Sequence, residues 1–388
     1  MTFNPDRLTL PPLALYIHLP WCVRKCPYCD FNSHAVPDGK LSLDLEQEYL
    51  HALVEDFKTQ LEFAQGRHIH SVFIGGGTPS LISAQGYQWL FAQLKALLPF
   101  EADCEITLEA NPGTVEHDPF ADYLAAGINR LSIGVQSFNT EHLTKLGRIH
   151  SNTDAISAIG FARDAGFKRI NVDLMHGLPE QTLEQALLDL KLAVENGATH
   201  ISWYQLTIEP NTVFFRTKPI LPVDDVLEEI QAQGEAYLKA QGFINYEVSA
   251  WRKEQPSAHN LNYWQFGDYL GIGAGAHSKL SFHNKITRET RHKHPNAYMQ
   301  NALGNNAVDQ MRIIEQKELV FEFMMNALRL NNGFDARLFQ QRTGLLIDVM
   351  ASRLNIALKQ SLITYENNFI KPTQLGQRYL NNLLELFL

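Results

Sequence analysis

Between residues 13 and 250, short apolar runs alternate with longer segments whose apolar residues recur at helical spacing. The runs are LALYIHL (13–19), SVFIGGG (71–77), CEITLEANP (104–112), RLSIGVQSF (130–138), RINVDLMHGLP (169–179) and HISWYQLTIEP (200–210). Each is short and rich in β-branched or aromatic residues, with Gly, Pro or Asn at or near its end, the pattern of strands buried on both faces. Between them lie segments such as LDLEQEYLHALVEDFKTQLEFA (43–64) and TLEQALLDLKLAVENG (182–197), the second ending in a glycine suited to a helix C-cap. Six such strand–helix units predict an α/β fold with a parallel sheet, curved or closed.

Around residue 250 the pattern changes. An aromatic and His-rich stretch, HNLNYWQFGDYLGIGAGAHSKLSFHNK, is followed from residue 315 by EQKELVFEFMMNALRL, FDARLFQQRTG and LIDVMASRLNIALKQSLI, all with helical spacing. The last segment, ITYENNFIKPTQLGQRYLNNLLELFL, predicts a short β wing and a final helix. These readings divide the chain into a barrel region, 1–250, and a mostly helical, winged-helix-like region, 251–388.

With 388 residues, 45% of them hydrophobic and 19% charged, the chain is neither disordered in composition nor a small disulfide scaffold. Its net charge of -9 argues against a protein that coats nucleic acid, which needs clustered Lys and Arg. The charge is uneven: residues 1–250 carry 17 basic and 31 acidic side chains, a balance of -14, whereas residues 251–388 carry 16 and 11, a balance of +5. Two kinds of partner are therefore expected. The first 21 residues lack a basic segment followed by a long apolar one, and no apolar run of about 18 residues occurs, so a cytoplasmic protein is expected.

Polar residues recur at the ends of the six strands: a cysteine cluster, then Gly75 to Thr78, Glu109, Gln136, Asp173 and Gln205. In a (β/α) barrel that edge is where side chains converge on a ligand. Of four cysteines, Cys22, Cys26 and Cys29 fall within eight residues while Cys104 stands apart. A reducing compartment disfavours disulfides, and three adjacent thiols cannot all pair with one another, so a metal centre is the better reading. Zinc would need a fourth ligand, for which Cys104 or His34 is available. An iron–sulfur cubane held by three thiolates keeps one iron open to a substrate or cofactor.

The spacing C-x3-C-x2-C, with aromatic Tyr28 before the last cysteine, resembles the signature of the radical S-adenosylmethionine (SAM) superfamily. Gly75-Gly76-Gly77-Thr78-Pro79 looks like that superfamily's glycine motif for SAM. More narrowly, YIHLPWC, GGGTPS, LEANP, GVQSF, LGRIH, DLMHGLP and LGIGAGAHS resemble the family of oxygen-independent coproporphyrinogen dehydrogenase and the HemW-type haem chaperones. The resemblance implies a partial (β/α)6 TIM-like barrel holding a [4Fe-4S] cluster on Cys22, Cys26 and Cys29. It also implies that Tyr16 lies beside the cluster and SAM, that Gly76 meets the SAM on the iron, and that Glu109 holds its ribose or amino end. Gly77, Thr78, Gln136, Arg148 and Asp173 match positions that hold a second SAM in the dehydrogenase.

Two departures separate this chain from the dehydrogenase: Phe31 stands where a fourth cysteine is found, and only 21 residues precede Cys22. Decarboxylation of a porphyrinogen is therefore not expected. His259-Asn260-Leu261-Asn262-Tyr263-Trp264 matches the HNxxYW motif of the haem chaperones. A neutral imidazole is a good axial ligand for haem iron, and Tyr and Trp present flat apolar surface to a macrocycle. If the segment is helical, His259 and Tyr263 share a face. Nearby Lys279, Lys285, Arg288, Arg291 and Lys293 would suit the anionic haem propionates, but a solvated loop is the favoured reading of this stretch. The expected function is thus a haem chaperone with His259 at haem, passing haem to acceptor proteins, respiratory and in some cases membrane-associated, with no nucleic-acid partner. The alternatives are a radical SAM oxidoreductase acting on a porphyrinogen and a zinc-stabilised interaction module.

Overall fold

Residue by residue, the six apolar runs become six neighbouring parallel strands. The computed structural model describes residues 4–36, 40–114 and 118–388. In chain order the strands are β1 (Leu13–Leu19), β2 (Ile69–Gly76), β3 (Phe100–Ala110), β4 (Arg130–Gln136), β5 (Ile170–His176) and β6 (His200–Gln205). Leu13, Ala14, Leu15 and Ile17 of β1 are fully buried, as are Val72 and Ile74 of β2 and Leu131, Ile133 and Val135 of β4. Apolar runs of this kind are stable only where helices cover both sheet faces. Helix Leu43–Lys58 supplies such cover through Tyr49, Leu53 and Phe57; the Ser42 hydroxyl caps its first turn by accepting from the Leu45 amide.

The sheet does not stop at the expected boundary after residue 250. Strands β7 (Ile244–Asn245) and β8 (Ala250–Arg252) extend one edge, and β9 (Asp268–Ile272), β10 (His277–Phe282), β11 (Lys285–Arg291) and β12 (Val308–Ile313) extend the other. The full order is β12-β11-β10-β9-β1-β2-β3-β4-β5-β6-β8-β7. Strand β9 lies parallel to β1 with Tyr16 opposite Gly271, making a seventh parallel strand; the additions beyond it are antiparallel. The sheet is open, a partial barrel as expected.

A second hydrophobic core is built mainly from residues after 313, including Val320, Phe323, Phe339, Leu354 and Ile370. Here helices Gln316–Ala327, Ala336–Thr343 and Ala351–Lys359 pack with the hairpin Ile363–Glu366/Phe369–Pro372, which corresponds to the expected wing. Phe266 and Ile286 are the residues that join this core from the sheet side.

Buried ion pairs brace the β9–β12 extension internally and tie it to the covering helix. Arg291 on β11 is fully buried and its Nε lies 3.2 Å from Asp56 of helix Leu43–Lys58, while its Nη1 reaches Glu289 at 3.0 Å. Lys279 on β10 is buried with its ammonium 3.1 Å from the buried Asp268. Isolated buried charges cost several kcal/mol, so each of these cations is tied to its carboxylate. Arg288 is held by Glu322 at 2.5 Å and by the Tyr269 hydroxyl at 3.2 Å. Of the basic residues weighed for haem propionates, Lys279, Arg288 and Arg291 are paired with carboxylates inside the protein, which departs from the favoured reading of a solvated loop.

Candidate functional site

The polar ends of the parallel strands gather around the loop that carries the cysteines, except Gln205, which is exposed at the end of β6. That loop leaves β1 at Leu19 and is closed at its neck by a two-residue parallel pairing of Trp21–Cys22 with His34–Ala35. The Cys29 amide donates to the Cys26 carbonyl at 3.2 Å, and the Val36 amide to the Cys22 carbonyl at 3.0 Å. All three thiols are free, Cys22 buried and the others half-buried.

The glycine motif at the end of β2 grips this loop. Gly77 donates to the Leu19 carbonyl and Thr78 to the Trp21 carbonyl, both at 2.6 Å. A Cβ on Gly77 would sit 2.3 Å from the Trp21 oxygen, and one on Gly76, which has φ +115°, would sit 2.5 Å from the His18 ring. Only glycine permits both approaches. The Thr78 hydroxyl accepts from Asn111 Nδ2 at 3.0 Å. Burial pushes the Cys22 thiol up, while the Thr78 and Ser33 hydroxyls favour its thiolate. Cys29 is likewise pushed up by burial, with the Phe31 backbone and Ser33 opposing.

Ser33 Oγ is buried without a well-formed hydrogen bond of its own, yet it acts on both Cys22 and Cys29. A spare donor between two thiolates fits a site that receives sulfur-bound metal. Among the described residues no three His, Cys, Asp or Glu side chains are grouped to hold a single ion, and Cys104 lies on β3, outside the cysteine loop. Cys104 is a buried strand residue, its thiol pushed up to about 12 chiefly by burial. The three-thiolate donor set fits an iron–sulfur cluster.

Behind the loop, the remaining expected residues line adjacent strand ends. Glu109 accepts from the Gly76 amide at 3.2 Å; burial, aided by the charge of Asp173, pushes its carboxyl up to about 8. Asp173, also pushed up by burial, accepts from Ser132 and from Asn171, both at 2.8 Å. Gln136 closes β4 with φ +67° beside a register shift, a strained backbone of the kind that collects at ligand sites. Arg148 donates to Asn111 Oδ1 at 2.5 Å and to the Gly134 carbonyl at 2.6 Å, and its other nitrogen is 3.7 Å from Cys26 Sγ. Tyr16 donates to Nδ1 of His18, whose Nε2–H is committed to the Asn32 carbonyl at 2.8 Å; burial raises the phenol and lowers the imidazole, keeping both neutral.

The HNxxYW residues form a short helix, Ala258–Trp264, capped by Ser257. Its N-terminus is held by buried Glu105, which accepts from the His259 amide at 3.1 Å. His259 is 1% exposed. Its Nε2 is 2.9 Å from the Tyr263 hydroxyl and its Nδ1 is 3.2 Å from the Ser71 hydroxyl. The i, i+4 pairing is thus present, but the imidazole faces the core, and burial pushes its pKa down to about 3. Neither ring nitrogen is free in this conformation, so haem ligation at His259 would require the imidazole to give up its bond to Tyr263 or to Ser71.

Residues 16–193 match the radical SAM superfamily, and residues 314–379 match the HemN C-terminal domain. The haem chaperone HemW of Escherichia coli (strain K12) is 49% identical over 381 residues, covering 98% of this chain and 99% of that protein. The chain belongs to the HemW family. Its likeness extends to the HemW of Haemophilus influenzae, 48% identical over 98% of both chains, and to that of Bacillus subtilis, 30% identical over 97% and 99%. Among solved structures, coproporphyrinogen III oxidase (HemN) from Escherichia coli, a radical SAM enzyme, superposes with a TM-score of 0.81 and 25% identity over 99% of this chain and 91% of that one.

For a HemW-family chain, three side chains that sequence reasoning passed over belong to the site. His18 supports Gly76 and Tyr16, Asn111 links Thr78 to Arg148, and Asn32 donates to the carbonyls of Ala274 (2.9 Å) and Lys293 (2.8 Å), tying the cysteine loop to the β9–β11 region. All lie in or beside stretches already singled out, YIHLPWC, LEANP and the cysteine motif; their polar tips carried no separate signal. No helix among the described residues is long and apolar enough to cross a membrane.

Proposed function

We propose that this HemW-family chain binds haem and transfers it to acceptor haemoproteins of the respiratory chain in the cytoplasm or at its membrane, using a SAM-binding [4Fe-4S] site on Cys22, Cys26 and Cys29. The observation that carries the reading is a cavity of about 550 Å³ shared by the cysteine loop and the HNxxYW helix, with Tyr16, Phe31 and Tyr263 in its wall. When bound, the cluster supplies an iron with an open coordination position at which SAM can be held and cleaved. The chain's own part is positioning. Gly76 and Gly77 let the backbone close on the loop, the Thr78 hydroxyl favours thiolate at Cys22, and Glu109 offers a carboxyl that a cationic group would drive to its ionised form. Arg148 holds Asn111 and the Gly134 carbonyl, two residues before Gln136; with Gln136 and Asp173 it belongs to the set the reading assigns to a second SAM.

The test is haem titration of the anaerobically reconstituted protein, followed by mixing with an apo-haemoprotein. Saturable binding and appearance of the acceptor's spectrum are expected; absence of haem binding overturns the reading. The superposition on coproporphyrinogen III oxidase favours a second reading, oxidative decarboxylation of a porphyrinogen. Turnover of coproporphyrinogen with SAM would establish it.

A further inference from the structure

His259 offers haem iron no free nitrogen, but the other side of its partner Tyr263 does. The 550 Å³ cavity there is within the usual ligand-pocket range of about 300–1,000 Å³. Tyr263 and Tyr269 meet edge to face, centroids 4.7 Å apart, and give it an aromatic wall. His277, the first residue of β10, also lines it. Unlike His259 it is exposed, and its imidazole makes no hydrogen bond among the described residues. Burial of its inner edge, with Arg288, Lys293 and Arg291 nearby, pushes it below the ordinary histidine range, leaving a neutral ring.

The same wall carries a second unused nitrogen, His34 Nε2, which is buried without a partner. Lys25 and Lys293 add ammonium groups at the rim, suited to carboxylates. The cavity therefore combines a free imidazole, flat aromatic surface and two ammonium groups against the single carboxylate of Asp30.

We propose that haem occupies this cavity with His277 as the nitrogen ligand of its iron, Tyr263 and Tyr269 against the macrocycle, and His259 as a positioning residue that fixes Tyr263. The assignment rests on the haem-binding reading above. It places the cargo beside the cysteine loop, since Phe31 and Ser33 line the same space. It also explains the HNxxYW motif without asking a core histidine to leave the core.

The experiment is a haem titration of the full, reconstituted chain as wild type, His277→Ala, His277→Gln and Tyr263→Phe, followed by the Soret band and by low-spin ferric electron paramagnetic resonance. Loss of the ligand in both His277 variants should shift the Soret band and weaken binding at least about tenfold, equivalent to about 1.4 kcal/mol. Added imidazole should restore the wild-type spectrum of His277→Ala, which a merely structural role would not allow. Tyr263→Phe should keep the wild-type Soret position. Wild-type spectrum and affinity in both His277 variants would overturn the assignment while leaving haem binding intact; a wild type that takes up no haem would overturn both.

Discussion

Nε2 of His259 and the hydroxyl of Tyr263 lie 2.9 Å apart, one helical turn from each other, and Ser71 closes the far side of the ring at 3.2 Å. The pair is a strut between β2 and the cavity wall. Tyr263→Phe removes one hydrogen bond and strands a buried nitrogen, and is expected to cost about 1–3 kcal/mol. His259→Ala also empties a ring-sized volume beside Phe73 and should cost about 2–5 kcal/mol. Urea unfolding of both variants checks this. No change for either would mean the strut is not formed.

The glycine motif makes a different prediction, because its constraint is steric. A Cβ on Gly77 would collide with the Trp21 carbonyl, which is backbone at the neck of the cysteine loop. Gly77→Ala should therefore displace the loop and reduce bound iron after reconstitution. Gly66 has φ +79° with nothing within 4 Å of where a Cβ would stand, so Gly66→Ala meets only backbone strain. Its iron content should match wild type. Equal iron in both variants would show that the grip on the loop is dispensable.

The two glycines also show what sequence can reveal. The GGGTP run, which alone would read as an ordinary tight turn, is legible because it accompanies the cysteine motif, and the strands β1 to β6 are legible because burial on both faces leaves continuous apolar runs. Strands β9 to β12 are not. Lys279 and Arg291 read as surface charge, since their partners Asp268 and Asp56 are specified only by the tertiary fold. The pairing of β9 with β1 joins residues some 250 positions apart, which no local pattern encodes. His259 is the converse case: the motif is obvious, but its direction is set by Glu105 and Ser71 on neighbouring strands.

Glu109 gives stability a pH dependence in the cofactor-free protein. Its folded-state carboxyl is pushed up to about 8 from an ordinary value of 4.5, so within that window the folded chain holds a proton the unfolded chain has released. Stability contributed by this group is present below the lower value and is lost as pH rises to the upper one, by up to about 5 kcal/mol. Asp173 is shifted in the same direction and adds to the slope. Glu109→Gln, which stays neutral, should flatten the fall without abolishing it. Thermal melting from pH 5 to pH 8.5 measures this, and an unchanged slope in the variant would refute the assignment of the slope to Glu109.

The four cysteines should separate cleanly in one experiment. Cys22, Cys26 and Cys29 share a loop in which the Ser33 hydroxyl acts on two of the sulfurs and the Thr78 hydroxyl on one, whereas Cys104 packs in β3, is 6% exposed and has its thiol pushed up to about 12. Cys104 is disqualified by position, since it lies on β3 and outside the loop that carries the other three. Single Ala variants at 22, 26 and 29 should lose the visible charge-transfer absorption and most iron and sulfide. Cys104→Ala should keep both, at a cost in stability of about 1 kcal/mol for a small buried side chain. Iron retained at wild-type level in a Cys26→Ala protein, or lost in Cys104→Ala with the fold intact by circular dichroism, would reassign the ligand set.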